Sequence, residues 1–252
     1  MKRVQSNICF FCIFFAVITV YIIYYYIEQH ESWAHASKHR TIEDDGFVLL
    51  FYDDYKKTEL NDAFKSQVLE TLPPGYQFAN YSYAIKNATI STFHRDVTSS
   101  QTLYKSKYPV YTLVLYKHPG CLLSVCPGSN YTYPFVSSQI VNIRGPAGSC
   151  ILFNCDLLHA GCFNNCKPRE IIQYKLLHEE DTPLFEHLND VHVLKEDNQC
   201  EDSLYVHFIR KCSYFFELPI NTMFYPLFQK KQNEGILKNI QDYSSMQFYY
   251  NV

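Results

Sequence analysis

The chain is short of charge and carries no strong excess of either sign. Only 19% of its 252 residues are charged, and 22 basic against 25 acidic side chains leave a formal net charge of −3. This balance argues against nucleic acid as a partner, because phosphate binders present a basic face. No internal repeat or low-complexity run is visible, which argues against repeat architectures. Aromatic residues are abundant: 22 Tyr and 19 Phe supply material for a packed core. With an N-terminal segment set aside, roughly 210 residues remain, the size of a single domain.

That N-terminal segment reads as a membrane helix. Lys2 and Arg3 precede an uncharged run from Ile8 to Ile27, and Glu28 and Glu31 follow it. About twenty apolar or aromatic residues are enough to span a bilayer as a helix. The Tyr24-Tyr25-Tyr26 cluster suits the interfacial belt, and the basic flank places the N-terminus in the cytoplasm and the body in a lumen or outside the cell. A cleaved signal peptide is the alternative, with Ala34-His35-Ala36 as the cleavage site. Three sequons, at Asn80, Asn87 and Asn130, accord with a lumenal body. So do the eight cysteines after the run, an even number that points to disulfides in an oxidising compartment. The expectation is a single-pass type II protein of the endoplasmic reticulum, Golgi, or cell or virion surface. Its divisions are a tail (1–7), an anchor (8–27), a stem (28–44), a core (45–180) and a C-terminal extension packed on that core (181–252).

Periodicity predicts one helix followed by many strands. Asp45–Tyr52 reads as an opening strand after a turn. Leu60, Ala63, Phe64, Val68 and Leu72 recur at helical spacing over 59–72, and Pro73-Pro74-Gly75 ends that helix. Short runs rich in β-branched and aromatic residues follow at 81–85, 90–93, 110–116, 122–125, 135–143, 149–153 and 169–177. After Glu179 the pattern weakens, with a last helix predicted over 233–243. The fold class is mainly β with flanking helices, a sandwich or jelly roll.

Two stretches carry chemistry. Phe93-His94-Arg95-Asp96 places an imidazole and a carboxylate two residues apart, on one side of an extended chain. Leu157-Leu158-His159-Ala160-Gly161 is followed, ten residues after its histidine, by Arg169. Two histidines and one carboxylate with open positions form the ligand set of non-haem Fe(II) oxygenases. A later Arg supplies a planar fork for a carboxylate.

With these motifs in place, the stretch from about Asp45 to Leu177 resembles the phytanoyl-CoA dioxygenase-like branch of the Fe(II)/2-oxoglutarate oxygenases. The resemblance rests on His94-Arg95-Asp96, Cys126-Pro127-Gly128-Ser129, the Gly148–Phe153 turn and strand, His159-Ala160-Gly161 and Arg169, in that order. It implies a double-stranded β-helix core, with His94, Asp96 and His159 as iron ligands and Arg169 on the distal carboxylate of 2-oxoglutarate. It also implies a dioxygenase that couples decarboxylation of this co-substrate to hydroxylation, with ascorbate as a possible auxiliary. Lumenal placement favours a protein side chain, a glycan or a lipid as substrate. The chain departs from the pattern at Asn130, where the family commonly has His, and in being anchored and rich in cysteine.

Other readings compete. A His-x-Asp pair is often a surface accident, and His159 and Arg169 have ordinary core and ion-pair alternatives. Cys155, His159, Cys162 and Cys166 could hold structural zinc. Asp53-Asp54 after a strand could belong to a lumenal glycosyltransferase. The same fold could also serve as a non-catalytic binding module. His118, His178, His187, His192 and His207 lack partners at ligand spacing and read as structural.

Overall fold

The computed structural model describes residues 2–87, 92–96, 101–132, 138–162, 168–196, 204–216, 234–236 and 238–239, with side chains from residue 11 onward. Two sheets face each other in a jelly-roll-like arrangement. The larger contains β2 (Phe47–Phe51), β4 (Tyr81–Lys86), β5 (Tyr111–Tyr116), β8 (Ser149–Asn154), β10 (Glu170–His178) and β11 (Val191–Glu196), in the order β11-β4-β10-β5-β8-β2. A short strand, β3 (Tyr76–Phe78), pairs with the far end of β10. The smaller sheet runs β1-β7-β6-β9, from β1 (Gln29–Ser32), β7 (Val141–Gly145), β6 (Gly120–Val125) and β9 (His159–Gly161). An isolated antiparallel bridge between His94 and His159 continues it by one more segment.

Alternation along the strands builds two cores, because successive side chains point to opposite faces. Val114 and Tyr116 of β5 join Ile151, Phe153 and Ile171 against Leu122, Val125, Val141 and Ile143 of the smaller sheet. Leu113, Leu115, Leu152 and Leu176 point the other way and pack beneath Phe64 and Val68. Those last two belong to a helix at Asp62–Glu70, which starts where the Asn61 side chain caps the Phe64 N–H. It is the helix that the 59–72 periodicity predicts, trimmed at both ends.

Several expectations need correction. Residues 28–44 are not a stem. They contain β1, paired in parallel with β7, and two short helices at Trp33–His39 and Ile42–Asp45, with Ala36 and Ile42 buried. Low hydrophobicity hid β1, whose sequence is Gln-His-Glu-Ser. The strand expected over 135–143 begins only at Val141, with 135–137 outside the described residues. Of the run 90–93, residues 90 and 91 lie outside them too, as does most of 233–243.

A 3-10 segment at Glu179–Leu188 buries Phe185 and Leu188, and β11 pairs with β4. A helix of twelve residues, Leu204–Phe215, buries Arg210 and Tyr214.

The N-terminal helix spans Lys2–Tyr26. Its apolar side chains from Phe11 through Val20 to Ile23 are exposed. Among the described residues no helix is long and apolar enough to cross a membrane, and the side chains of 1–10 are not among them.

Candidate metal centre

Strand pairing brings the two histidines together. His94 and His159 exchange both backbone hydrogen bonds, N–H to O, at 2.9 and 3.0 Å. They form the hydrogen-bonded pair of an antiparallel ladder, in which opposed side chains rise on the same face. Asp96 lies two residues beyond His94 and so returns to that face. Its own N–H donates to the Cys155 carbonyl at 2.8 Å, pinning the segment against the end of β8. Non-local register thus supplies what residues 65 positions apart in the sequence could not arrange locally.

Each ring is held by its other nitrogen. His94 Nδ1 contacts the Thr92 carbonyl at 2.7 Å, and His159 Nδ1 contacts the Leu157 carbonyl at 2.8 Å. A carbonyl only accepts, so both Nδ1 atoms carry the proton and each Nε2 keeps its lone pair in the neutral ring. Both Nε2 atoms face the same oxygen, Asp96 Oδ1, at 3.7 Å from His94 and 3.6 Å from His159. One donor atom from each of the three residues lies within 4.8 Å of the others. Two lone pairs and a carboxylate oxygen converging this closely fit one divalent cation.

Packing grades exposure across the site. The His159 side chain is 7% exposed, that of Asp96 16% and that of His94 36%, so the cluster opens on the His94 side. Burial pushes the His159 imidazole down to about 4; His94 adds to this and Asp96 opposes it. Burial alone would raise the Asp96 carboxyl. The Lys175 ammonium, then His159 and His94, outweigh that effect and hold Asp96 well below the usual carboxylate range.

Lys175 is the site residue that sequence reasoning missed. Its Nζ donates to Asp96 Oδ2 at 2.7 Å and to Thr112 Oγ1 at 2.8 Å, with Cys155 Sγ at 3.5 Å. Thr112 in turn donates to the same Oδ2 at 2.8 Å. A signal was present: Lys175 shares the Arg169–Ile171–Gln173 face of β10, and lysine is almost never buried without a partner.

Arg169 lies just before β10 and is buried. Its guanidinium sits beside the Tyr116 hydroxyl. Burial pushes that phenol up to about 12, and Arg169 pulls against the rise. That oxygen is buried with the guanidinium as its hydrogen-bonding neighbour, and its own proton meets no acceptor among the described residues.

Arg95, between the two ligands, points away from them. Its Nη1 donates to the Ser129 carbonyl at 2.7 Å and also to the Asp156 carbonyl. Ser129 Oγ accepts from the Leu158 N–H at 2.8 Å. The Pro-Gly-Ser turn therefore braces the strand that carries His159. The Leu204–Phe215 helix holds both histidine segments: Arg210 donates to the Gly161 carbonyl at 2.7 Å, and Ser213 Oγ accepts from the Phe93 N–H at 2.8 Å.

The zinc set does not assemble. Cys162 is disulfide-bonded to Cys121, Cys155 faces Thr112 and Lys175, and Cys166 lies outside the described residues. Of the other cysteines expected in disulfides, Cys126, Cys150 and Cys155 are buried and Cys212 half-buried, each outside any disulfide, and Cys200 lies outside the described residues. Asp54 is taken up by an exposed ion pair with Lys57 at 2.7 Å. Among the described residues, His94, Asp96 and His159 are the single group able to hold a metal. The His178 ring stacks on Tyr108, and His192 is hydrogen-bonded to Ser82.

No family model and no curated protein matches this chain. Among solved structures, HygX from Streptomyces hygroscopicus with nickel and 2-oxoglutarate bound aligns at a TM-score of 0.41 and 11% identity, over 54% of this chain and 83% of its own. EvdMO1 aligns at 0.40 and 14% identity, over 55% of this chain, which spans about half (49%) of that protein. The non-heme alpha ketoglutarate dependent epimerase SnoN from nogalamycin biosynthesis aligns at 0.36 and 12% identity, over 58% and 82%. These overlaps are too partial to assign an activity.

Proposed function

We propose that this chain is an Fe(II)- and 2-oxoglutarate-dependent oxygenase that hydroxylates a C–H bond. The observation that carries the reading is the cross-strand pair His94 and His159, with both Nε2 atoms aimed at Asp96 Oδ1. Motif order supports the phytanoyl-CoA dioxygenase-like branch in particular. When bound, iron and 2-oxoglutarate would let dioxygen oxidise both partners, one oxygen atom entering succinate as carbon dioxide leaves and the other entering a C–H bond as a hydroxyl.

The chain's own residues bind, orient and exclude water. His94, Asp96 and His159 hold the metal on one face, leaving its other face for ligands from outside the protein. Arg169 pairs with the distal carboxylate of 2-oxoglutarate through its planar fork. The Tyr116 hydroxyl, buried beside the guanidinium with no acceptor for its own proton among the described residues, gives a second donor to the same group. Phe153, whose ring centroid lies 4.5 Å from that of His159, closes the inner side against solvent and keeps the imidazole from turning.

The same proposal covers the setting. The uncharged run 8–27 anchors the chain, supported by the exposed apolar side chains of residues 11–27. The body is lumenal or extracellular, supported by the Cys121–Cys162 disulfide. The substrate is then a protein side chain, a glycan or a lipid.

The test is turnover of 2-oxoglutarate by the purified protein with Fe(II) and ascorbate. Succinate formation above the metal-free control is expected. Absence of succinate, with no effect of 2-oxoglutarate on the absorption of the Fe(II)-loaded protein, would sink the oxygenase reading and leave a binding module.

A further inference from the structure

We infer that Lys175 is a positioning residue that makes Asp96 a one-oxygen metal ligand. The inference rests on the oxygenase reading and concerns how that site keeps room for its co-substrate.

The two carboxylate oxygens of Asp96 have different surroundings. Oδ1 faces the Nε2 atoms of His94 and His159 at 3.7 and 3.6 Å. Oδ2 receives the Lys175 ammonium at 2.7 Å and the Thr112 hydroxyl at 2.8 Å. Lys175 and Thr112 are themselves bonded at 2.8 Å. They are directly opposed in the β10–β5 ladder, so both side chains rise from the same point of the inner face. Lys175 is 3% and Thr112 0% exposed. A charge-assisted bond of this kind is short and strong, and a buried ammonium is costly to leave unpaired. The sheet therefore holds Oδ2, and Asp96 offers the metal Oδ1 alone.

The distinction matters because carboxylates bind metals through one or both oxygens. Three protein donor atoms leave three positions of an octahedral ion for a two-atom chelate and dioxygen. A carboxylate free to rotate and chelate would take one of those three. Loss of Lys175 should thus spare metal binding and damage co-substrate binding.

The experiment uses the full chain with Co(II), whose visible absorption reports coordination number, titrated with 2-oxoglutarate. Unaltered protein should bind Co(II), and 2-oxoglutarate should change its spectrum. Lys175→Met, close in volume but uncharged, should bind Co(II) within tenfold of the unaltered protein. It should show a different spectrum before any co-substrate is added, and should need at least tenfold more 2-oxoglutarate to change it. Thr112→Val, which removes one of the two Oδ2 donors, should shift the titration several-fold in the same direction; it keeps the test decisive if Lys175→Met does not fold. Lys175→Arg, which restores a cationic donor, should recover part of the 2-oxoglutarate response. Folded variants whose spectra and titrations match the unaltered protein would overturn the inference and leave the oxygenase reading intact. So would a folded Lys175→Met that binds no metal, since Lys175 would then hold Asp96 in place rather than mask one oxygen. If 2-oxoglutarate leaves the spectrum of the unaltered Co(II) protein unchanged, both readings fall.

Discussion

The inner face of the Arg169–Lys175 segment carries a cation at each end, and the two ends are finished differently. Lys175 meets Asp96 and Thr112, so its charge is consumed inside the protein. Arg169 lies beside the buried Tyr116 hydroxyl, whose proton meets no acceptor among the described residues. Buried polar groups are nearly always hydrogen-bonded, and an exception asks for an explanation. One end is completed by folding. On the proposed function, the other keeps a donor for a carboxylate that arrives from outside. On that reading the difference separates residues that build the metal centre from residues that recruit the co-substrate, and the substitutions at the two ends test the separation.

The largest effect belongs to the completed end. His94→Ala, Asp96→Ala and His159→Ala should each abolish succinate formation and lower metal affinity by at least a hundredfold, measured by competition with a chelating dye. Asp96→Ala should also cost the most stability, because it leaves the Lys175 ammonium buried without its carboxylate; breaking such a pair costs about 3–5 kcal/mol. If Asp96→Ala keeps full metal affinity, the assignment of ligands is wrong.

At the recruiting end, Arg169→Lys should raise the 2-oxoglutarate requirement about tenfold with metal content unchanged, since a point charge does not reproduce a bidentate fork. Tyr116→Phe should raise it a few-fold. Removing a hydroxyl whose proton has no acceptor costs only its contact with the guanidinium, so stability should fall by about 1 kcal/mol or less. A larger loss would mean that the proton is already taken up within the protein.

The disulfide offers a control away from both ends. Cys121→Ser with Cys162→Ser opens a loop whose ends are 41 residues apart, at a cost of about 2–5 kcal/mol. Metal affinity should stay within a few-fold in the protein that folds. Release of metal would revive the zinc reading.

Acid gives a smaller, graded effect. In the metal-free protein the His159 imidazole is held down to about 4 from its ordinary 6.5. As pH falls from 6.5 toward 4 the unfolded chain takes up a proton that the folded chain refuses, so stability should decline across that window and level off below it. Denaturant midpoints at pH 7 and pH 5 should differ more for the unaltered protein than for His159→Gln. Equal differences would remove His159 as the cause.

The smallest effect is a change in gel mobility. Asn80 is exposed, whereas Asn130 turns its Oδ1 inward, where it is buried without a partner. Glycosidase treatment of protein from a eukaryotic secretory pathway should therefore shift the unaltered chain, and Asn80→Gln should reduce that shift more than Asn130→Gln. No shift at all would argue for a cytosolic body.

What could be read from the sequence follows from how local each feature is. The helix at Asp62–Glu70 and strands such as β5 and β8 announce themselves by period and composition, because burying one face imposes that period. β1 does not, since Gln29–Ser32 has no apolar alternation and is held by its parallel neighbour β7. The Leu204–Phe215 helix also went unread: its buried residues include Arg210 and Ser213, which brace the site through polar contacts rather than through an apolar stripe.

The sequence by itself determined a candidate donor set: an imidazole and a carboxylate at i and i+2, a second imidazole, and an Arg ten residues later. Those are matters of residue type and short spacing, which a linear string records. Only the tertiary structure decided that His94 and His159 are opposed in one ladder and that their Nδ1 atoms are spent on carbonyls. It also decided that Cys162 pairs with Cys121 rather than with a metal, and that Lys175 reaches Asp96 from 79 residues away. Each depends on strand register, which long-range pairing sets and in which a shift of one residue would turn every one of these side chains to the other face.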